Sequence, residues 1–289
     1  MENFAITNYT LPEAKPQAVA RKAKIGYTET NDFNAPGGTF MNLIFIRHGD
    51  PDYSIDSLTE KGWREAELLS ARTTKWDVKE FYCSPLGRAK DTASLTLNKL
   101  NRTAITHDWL KEFYVPVKDP ETGAERIPWD FMPNYWTRIP EFYHKDTWLS
   151  APVMQTGKVA AEYEKVCTGI DVILTEHGYE RTGNYYKVVS GNHDTLVFFC
   201  HLGVQFVILS HLLGIPAPLL WQGCFVAPTS VTVLTCEERI KGEAYFRLRT
   251  LGDTSHLYTA GEPASRSGFF REQCFDKLTP ENVPEIKSF

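Results

Sequence analysis

Apolar residues along the chain fall into short dense runs bounded by charged or turn-forming residues. Leu43-Ile44-Phe45-Ile46 is the clearest of them. Three of its four residues are β-branched or aromatic, and the run stops at Arg47-His48-Gly49, which predicts a buried strand with reactive side chains at its end. Leu196-Val197-Phe198-Phe199-Cys200 repeats the pattern and delivers His201-Leu202-Gly203. Val78 to Cys83 is a third such run, and Ile105 to Leu110, Tyr185 to Val189, Phe225 to Thr235 and Ala244 to Thr250 are further strand candidates. Between them the period changes to that of helices. Thr59 is placed to cap a helix with Ala66, Leu69 and Trp63 on its apolar face. Pro85 suits the first turn of another that carries Arg88, while Lys158 to His177 and Gln205 to Leu213 continue the alternation. Strands interleaved with helices predict an α/β fold, and such sheets place ligand sites just past the carboxyl ends of their strands.

Three segments do not fit that alternation. Residues 1–40 are polar, with four acidic and four basic side chains, and end in Asn34-Ala35-Pro36-Gly37-Gly38, which reads as an amino-terminal extension. From Phe113 to Trp148 there are nine aromatics and six prolines or glycines without a sustained period. That stretch is too long for a connection and predicts an insertion, about 113–155, with a small core of its own. Trp129, Phe131, Tyr135 and Trp136 are its candidates for touching a substrate. A tail over 261–289 follows, whose Phe269, Phe270 and Phe275 suggest docking. The catalytic domain is therefore expected over 41–260.

Composition narrows the partners. A net charge of −5 gives no global basic field for nucleic acid or an acidic membrane, so any anion site must be local. The six cysteines are scattered without a Cys-x-x-Cys pair, which favours reduced thiols and a cytoplasmic location. No apolar run approaches the roughly 20 residues of a membrane span. The oligomeric state stays open, a homo-oligomer included.

Two histidines and two arginines stand at or just past the ends of buried elements, and Glu112 follows a third. That set suits phosphoryl transfer through a covalent intermediate, in which an imidazole attacks phosphorus, cations hold the phosphoryl oxygens and an acid protonates the leaving oxygen. Several ordered blocks carry a resemblance. Arg47-His48-Gly49, then Leu58-Thr59-Glu60-Lys61-Gly62, then Ser84-Pro85-Leu86-Gly87-Arg88-Ala89-Lys90-Asp91-Thr92-Ala93 resemble the histidine phosphatase superfamily, in its phosphoglycerate mutase-like branch. Asp108-Trp109-Leu110-Lys111-Glu112, Val197 to His201 and Gly252 to Leu257 are similar to its later segments.

The resemblance implies a three-layer α/β/α sandwich around a mostly parallel sheet; it leaves the aromatic insertion unmatched, and that segment is read from its composition as a cap on this fold. It implies His48 as the nucleophile, Arg47 and Arg88 as the phosphate clamp, His201 as the second imidazole on the phosphoryl oxygens, and Glu112 as the proton donor. It implies a small phosphorylated substrate, and neither metal nor cofactor. Asp108 and Glu121 are alternative carboxylates, and His193-Asp194 resembles the acid pair of the phytase branch but precedes its strand. His256 is expected to be structural. The chain departs from the family at Asp50-Pro51-Asp52-Tyr53-Ser54, so an auxiliary phosphate contact is not carried over. Its short path from Arg47-His48-Gly49 to Leu58 argues for a phosphomonoesterase over a phosphoglycerate mutase, and a non-catalytic phosphate-binding module is the third reading.

Overall fold

The computed structural model describes residues 40–269. The expectation for residues 1–39, and that for the tail from Phe270 onward, lie outside the described residues. The main sheet has eight strands: β1 (Asn42–Arg47), β2 (Glu80–Cys83), β3 (Ile105–Thr106), β4 (Tyr179–Thr182), β5 (Tyr185–Val188), β6 (Thr195–Cys200), β7 (Val231–Ile240) and β8 (Glu243–Asp253). Their order across the sheet is β3-β2-β6-β1-β7-β8-β5-β4.

The α/β class with helices flanking a large sheet matches the expectation, with one refinement of the sheet. Parallel pairing joins only β3, β2, β6 and β1. From β1 outward the pairs are antiparallel, because β7–β8 and β4–β5 are hairpins whose short connections cannot return the chain to the same direction. The sheet is thus mixed. β4 has no counterpart among the predicted runs, since only Tyr179 of its four residues is buried.

Four longer helices cover the two faces: α1 (Glu60–Thr73), α2 (Gly87–Leu100), α3 (Val159–Glu176) and α4 (Leu202–Leu213). Two shorter ones, α5 (Ala217–Gly223) and α6 (Ser255–Ala260), follow α4 and β8. Strand alternation sorts the core between the faces. Leu43, Phe45, Leu196 and Phe198 join one apolar cluster with Val166, Ile170 and Phe206 of α3 and α4. Ile44, Ile46, Val197 and Phe199 point the other way, toward the layer that buries Ala66, Leu69, Ala89 and Ala93 of α1 and α2. Thr59 caps α1 as predicted, its hydroxyl accepting from the Gly62 amide at 3.0 Å. Trp63 departs from its predicted place on the apolar face and is 38% exposed.

The insertion contains a small hairpin of Val117–Lys118 and Glu125–Arg126, a one-turn helix and several 3-10 turns. It does not have a core of its own. Phe113, Val115, Val117, Ile127, Trp129, Phe131, Phe142 and Trp148 belong to the same apolar cluster as the sheet and α4, and Trp148 and Phe113 pack on Trp221 of α5 with ring centroids 5.6 and 5.4 Å apart. The aromatic residues read as a separate core of the insertion extend the main core. No helix among the described residues is long and apolar enough to cross a membrane.

Candidate active site

Strand register brings the distant histidines together. Arg47 of β1 pairs with Cys200 of β6, so the next residues, His48 and His201, emerge side by side. Phe199 pairs with Cys83 of β2, which places Ser84 beside them. Each strand is extended by one ladder bond past its apolar run: the His48 amide donates to the Cys200 carbonyl at 3.0 Å and the Ser84 amide to the Phe199 carbonyl at 2.9 Å. These three side chains therefore sit on a rigid edge, with the His48 and His201 rings 5.0 Å apart and inclined at 56°.

His48 is buried and its Nδ1 lies 2.7 Å from the Gly49 carbonyl. A carbonyl can only accept, so Nδ1 carries the proton and Nε2 keeps its lone pair. Burial holds its pKa well below that of free imidazole, with Arg47 and Arg88 adding to the effect by charge repulsion. The ring is thus neutral and nucleophilic at Nε2. Gly49 is fixed in turn by its amide, which donates to Thr92 Oγ1 at 2.9 Å. Arg47 is buried, with one Nη donating to the Val226 carbonyl at 2.8 Å while its Nε has no hydrogen-bond partner among the described residues. Donor capacity for an anion remains.

Arg88 lies in the first turn of α2, as the pattern predicted. A residue outside every motif reaches it: Asp56, at φ 48°, accepts from the Gly87 amide and from an Arg88 Nη, both at 2.6 Å. A carboxylate thus bridges a helix N-terminus and a guanidinium, the pair of donors that suits an anion. Only glycine fits at position 87, because a Cβ there would lie 2.0 Å from the Asp56 carbonyl oxygen. Tyr53 completes this side, its ring 5.4 Å from the Arg88 guanidinium carbon.

His201 is fully buried, with Nε2 2.7 Å from Ser84 Oγ and Nδ1 without a partner among the described residues. Burial, then His48, Arg88 and Arg47, keep it neutral by lowering its pKa well below the ordinary value. Glu112 stands beyond the short 3-10 turn Asp108–Leu110, and its Oε1 accepts from the amides of Phe113 at 2.8 Å and Val204 at 3.1 Å. Burial raises its pKa, while those two amides and both arginines oppose the rise. A carboxyl whose pKa is raised by burial is better suited to deliver a proton than an exposed one.

The other predicted residues separate cleanly. Trp129 is buried next to Glu112: a Cβ on Gly203 would meet Glu112 Oε1 at 2.7 Å and Trp129 Nε1 at 3.1 Å. Phe131 is instead a core residue packed on Tyr135 and Phe142, and Trp136 stacks on Tyr143. Tyr135 and Trp136 pack against the main apolar cluster. Asp108 is exposed and paired with Lys111 and Lys165. Asp194 holds His177 at the opposite end of β6. His256 is 3.1 Å from Thr229 Oγ1, and the Thr229 amide donates to the carbonyls of Arg47 and His48. His256 thus supports the loop of the first motif from behind.

Sequence patterns gave no notice of Asp56, and for the tail they suggested docking through Phe269 but not where it docks. That segment runs along the site: Ser265 bonds to Glu65 and Asp50, a Cβ on Gly268 would lie 2.7 Å from an Arg47 Nη, and Phe269 stacks on Phe225 at 3.7 Å. Ser84 stands in a quoted motif, but only the fold shows its partner. No group of three or more His, Cys, Asp or Glu that could hold a metal ion occurs among the described residues.

Known proteins place this geometry. Residues 43–142 match the histidine phosphatase superfamily (branch 1). A 2,3-bisphosphoglycerate-dependent phosphoglycerate mutase of Thermoplasma acidophilum is 38% identical over 162 residues, 53% of this chain and 78% of that protein. The chain belongs to the histidine phosphatase superfamily. A serine/threonine-protein phosphatase of Caenorhabditis elegans, Pgam5, mitochondrial, is 25% identical over 224 residues, 75% of this chain and 64% of that protein. The superfamily fold recurs in the structure of mycobacterial hydrolase 2, with a TM-score of 0.50 at 19% identity over 77% of this chain and 97% of that one.

Proposed function

We propose that the chain is a metal-independent phosphomonoesterase acting through a phosphohistidine. The observation that carries the reading is the presence in one site of a bare His48 Nε2 and a half-buried Glu112 whose pKa is raised. His48 Nε2 attacks phosphorus, the ester P–O bond breaks, and Glu112 gives its proton to the departing alkoxide. Arg47, Arg88 and His201 hold the equatorial oxygens, where charge accumulates in the transition state. In the second half the Glu112 carboxylate takes a proton from water, the hydroxide attacks phosphorus, the N–P bond breaks, and inorganic phosphate leaves. Trp129, beside the acid, is the insertion's candidate for contact with the leaving alcohol.

The test is turnover of 4-nitrophenyl phosphate by wild type and His48→Ala, with the phosphoenzyme trapped by denaturation in alkali, where the P–N bond survives, on a panel of small phosphometabolites. Equal rates for the two proteins and no labelled histidine on any substrate would overturn the reading.

A second reading has its own observation, the 38% identity to a phosphoglycerate mutase. A mutase keeps the phosphoryl group on His48 and returns it to a second hydroxyl of the same substrate. Conversion of 3-phosphoglycerate to 2-phosphoglycerate faster than release of phosphate would decide for it.

A further inference from the structure

Two neutral imidazoles face each other across the site, and a neutral imidazole has one proton to place. His48 has settled the question through Gly49. For His201 the choice is consequential. With the proton on Nε2, Nδ1 would turn a lone pair toward the negatively charged oxygens of a phosphoryl group on His48. With the proton on Nδ1, the same ring donates a hydrogen bond to them.

Ser84 is the only described side chain on His201 Nε2, at 2.7 Å, and both residues are fully buried. Its Oγ also receives the Leu86 amide, at 3.3 Å. The serine oxygen is therefore already an acceptor, and its hydroxyl proton needs an acceptor of its own. Among its described contacts, Nε2 of His201 is that acceptor. The reverse arrangement would bury the hydroxyl proton unpaired and leave a bare nitrogen at Nδ1, so two polar atoms would be unsatisfied where the first arrangement leaves only an N–H for the ligand. Ser84 is also well placed to impose this, because its amide continues the ladder to Phe199 at 2.9 Å and cannot drift from the strand edge.

We propose that Ser84 is a positioning residue that sets the tautomer of His201: its hydroxyl donates to Nε2, so the imidazole proton rests on Nδ1 and meets the phosphoryl oxygens. The proposal rests on the phosphohistidine reading for its catalytic meaning, whereas the tautomer itself can be observed without turnover. The pocket then presents a lone pair on one ring and an N–H on the other, both from uncharged histidines.

Protein labelled with 15N-histidine separates the possibilities, since the two nitrogens of each tautomer differ in chemical shift and in coupling to the ring protons. Wild type should show His201 protonated at Nδ1 alone. Ser84→Ala should move His201 to the Nε2–H form or a mixture and leave His48 unchanged. It should also weaken vanadate inhibition and lower kcat on 4-nitrophenyl phosphate about 100-fold, the scale for losing one aligned donor to a transition-state oxyanion. Ser84→Thr, which keeps the hydroxyl, should restore the wild-type spectrum and most of the rate. The proposal is overturned if wild-type His201 carries its proton on Nε2 or on both nitrogens, or if Ser84→Ala changes neither tautomer nor vanadate affinity. Should the alanine variant not fold, the wild-type spectrum decides alone. Absence of a phosphoenzyme with the predicted tautomer intact would count against the phosphohistidine reading and leave this assignment standing.

Discussion

Oε1 of Glu112 accepts a hydrogen bond from the amide of Val204 at 3.1 Å, three residues after His201. The first turn of α4 therefore carries the second imidazole at its cap and holds the acid through a backbone donor. Because Oε1 also takes the Phe113 amide, the other carboxyl oxygen is the one free to carry the acidic proton.

The pH profile of kcat/KM follows from the two opposed shifts. His48 must be unprotonated, and its lowered pKa moves the acidic limb below the pH of an ordinary imidazole. Glu112 must be protonated, and its raised pKa moves the basic limb above the ordinary carboxyl range. Activity should peak in mildly acid solution and fall as pH rises through the Glu112 value. Glu112→Gln should erase the basic limb and slow alkyl phosphates by about 100-fold to 10,000-fold, the contribution of a positioned acid. Hydrolysis of 4-nitrophenyl phosphate, whose leaving group needs little protonation, should suffer less. An equal loss on both substrates would remove Glu112 from the donor role.

Much of this site was legible in the chain because short apolar strands that stop at a charged residue announce where reactive groups emerge. Arg47, His48 and His201 were found that way, and Arg88 by Pro85, which the pattern placed in the first turn of its helix and which stands just before the N-cap Leu86. What a linear pattern lacks is register. The pairing of Arg47 with Cys200 and of Phe199 with Cys83 makes neighbours of His48, His201 and Ser84, and no local signal encodes it. Asp56 escaped for a related reason: its role depends on a left-handed turn and on a glycine 31 residues away. In the insertion, composition marked aromatic residues without saying which would be spent on the core, and Phe131 was.

Gly203 should be intolerant of any side chain. A methyl there would sit 2.7 Å from Glu112 Oε1 and 3.1 Å from the Trp129 indole nitrogen, so the carboxyl has to move. Displacement of about 1 Å at a reacting group costs on the order of 100-fold in rate. Gly203→Ala should lower kcat by that amount while inhibition by inorganic phosphate, which depends on the arginines, stays near wild type. A wild-type kcat would mean that the carboxyl has another productive position.

Asp56 competes for the donors that an arriving phosphoryl group needs. Its carboxylate engages Arg88 at 2.6 Å, and its side chain is 43% exposed, so solvent screens the pair. Asp56→Asn keeps the acceptor for the Gly87 amide and tolerates the positive φ, but removes the charge. Inorganic phosphate should then bind more tightly, by up to about fivefold for a screened pair, while kcat falls as Arg88 loses its anchor. Phosphate inhibition constants measured at low salt check this; weaker phosphate binding would show that Asp56 only steadies Arg88.

Arg126 should matter more to the insertion than any surface pair does. It is fully buried between Asp119, 2.7 Å from Nε, and Asp130, 3.0 Å from an Nη, and it also donates to the Asp130 carbonyl at 3.1 Å. Asp119 Oδ1 meanwhile accepts from the amides of Glu121 and Thr122, so the pair fixes the hairpin turn that precedes Trp129. Removing the cation leaves two buried carboxylates uncompensated, a loss of about 3–5 kcal/mol. Arg64→Ala, at an exposed pair with Glu60, should cost under about 1 kcal/mol. The sign of the pH dependence is also fixed. Burial already pushes the Asp130 carboxyl up, with Arg126 opposing it, so in Arg126→Ala the folded state holds its proton more tightly than the unfolded chain does. Stability of the variant must then fall as pH rises through that carboxyl's range, and its deficit should be smallest in acid. Urea denaturation of both variants in acidic and neutral buffer measures this, and a deficit independent of pH would show that the carboxylates are reached by solvent once the arginine is gone.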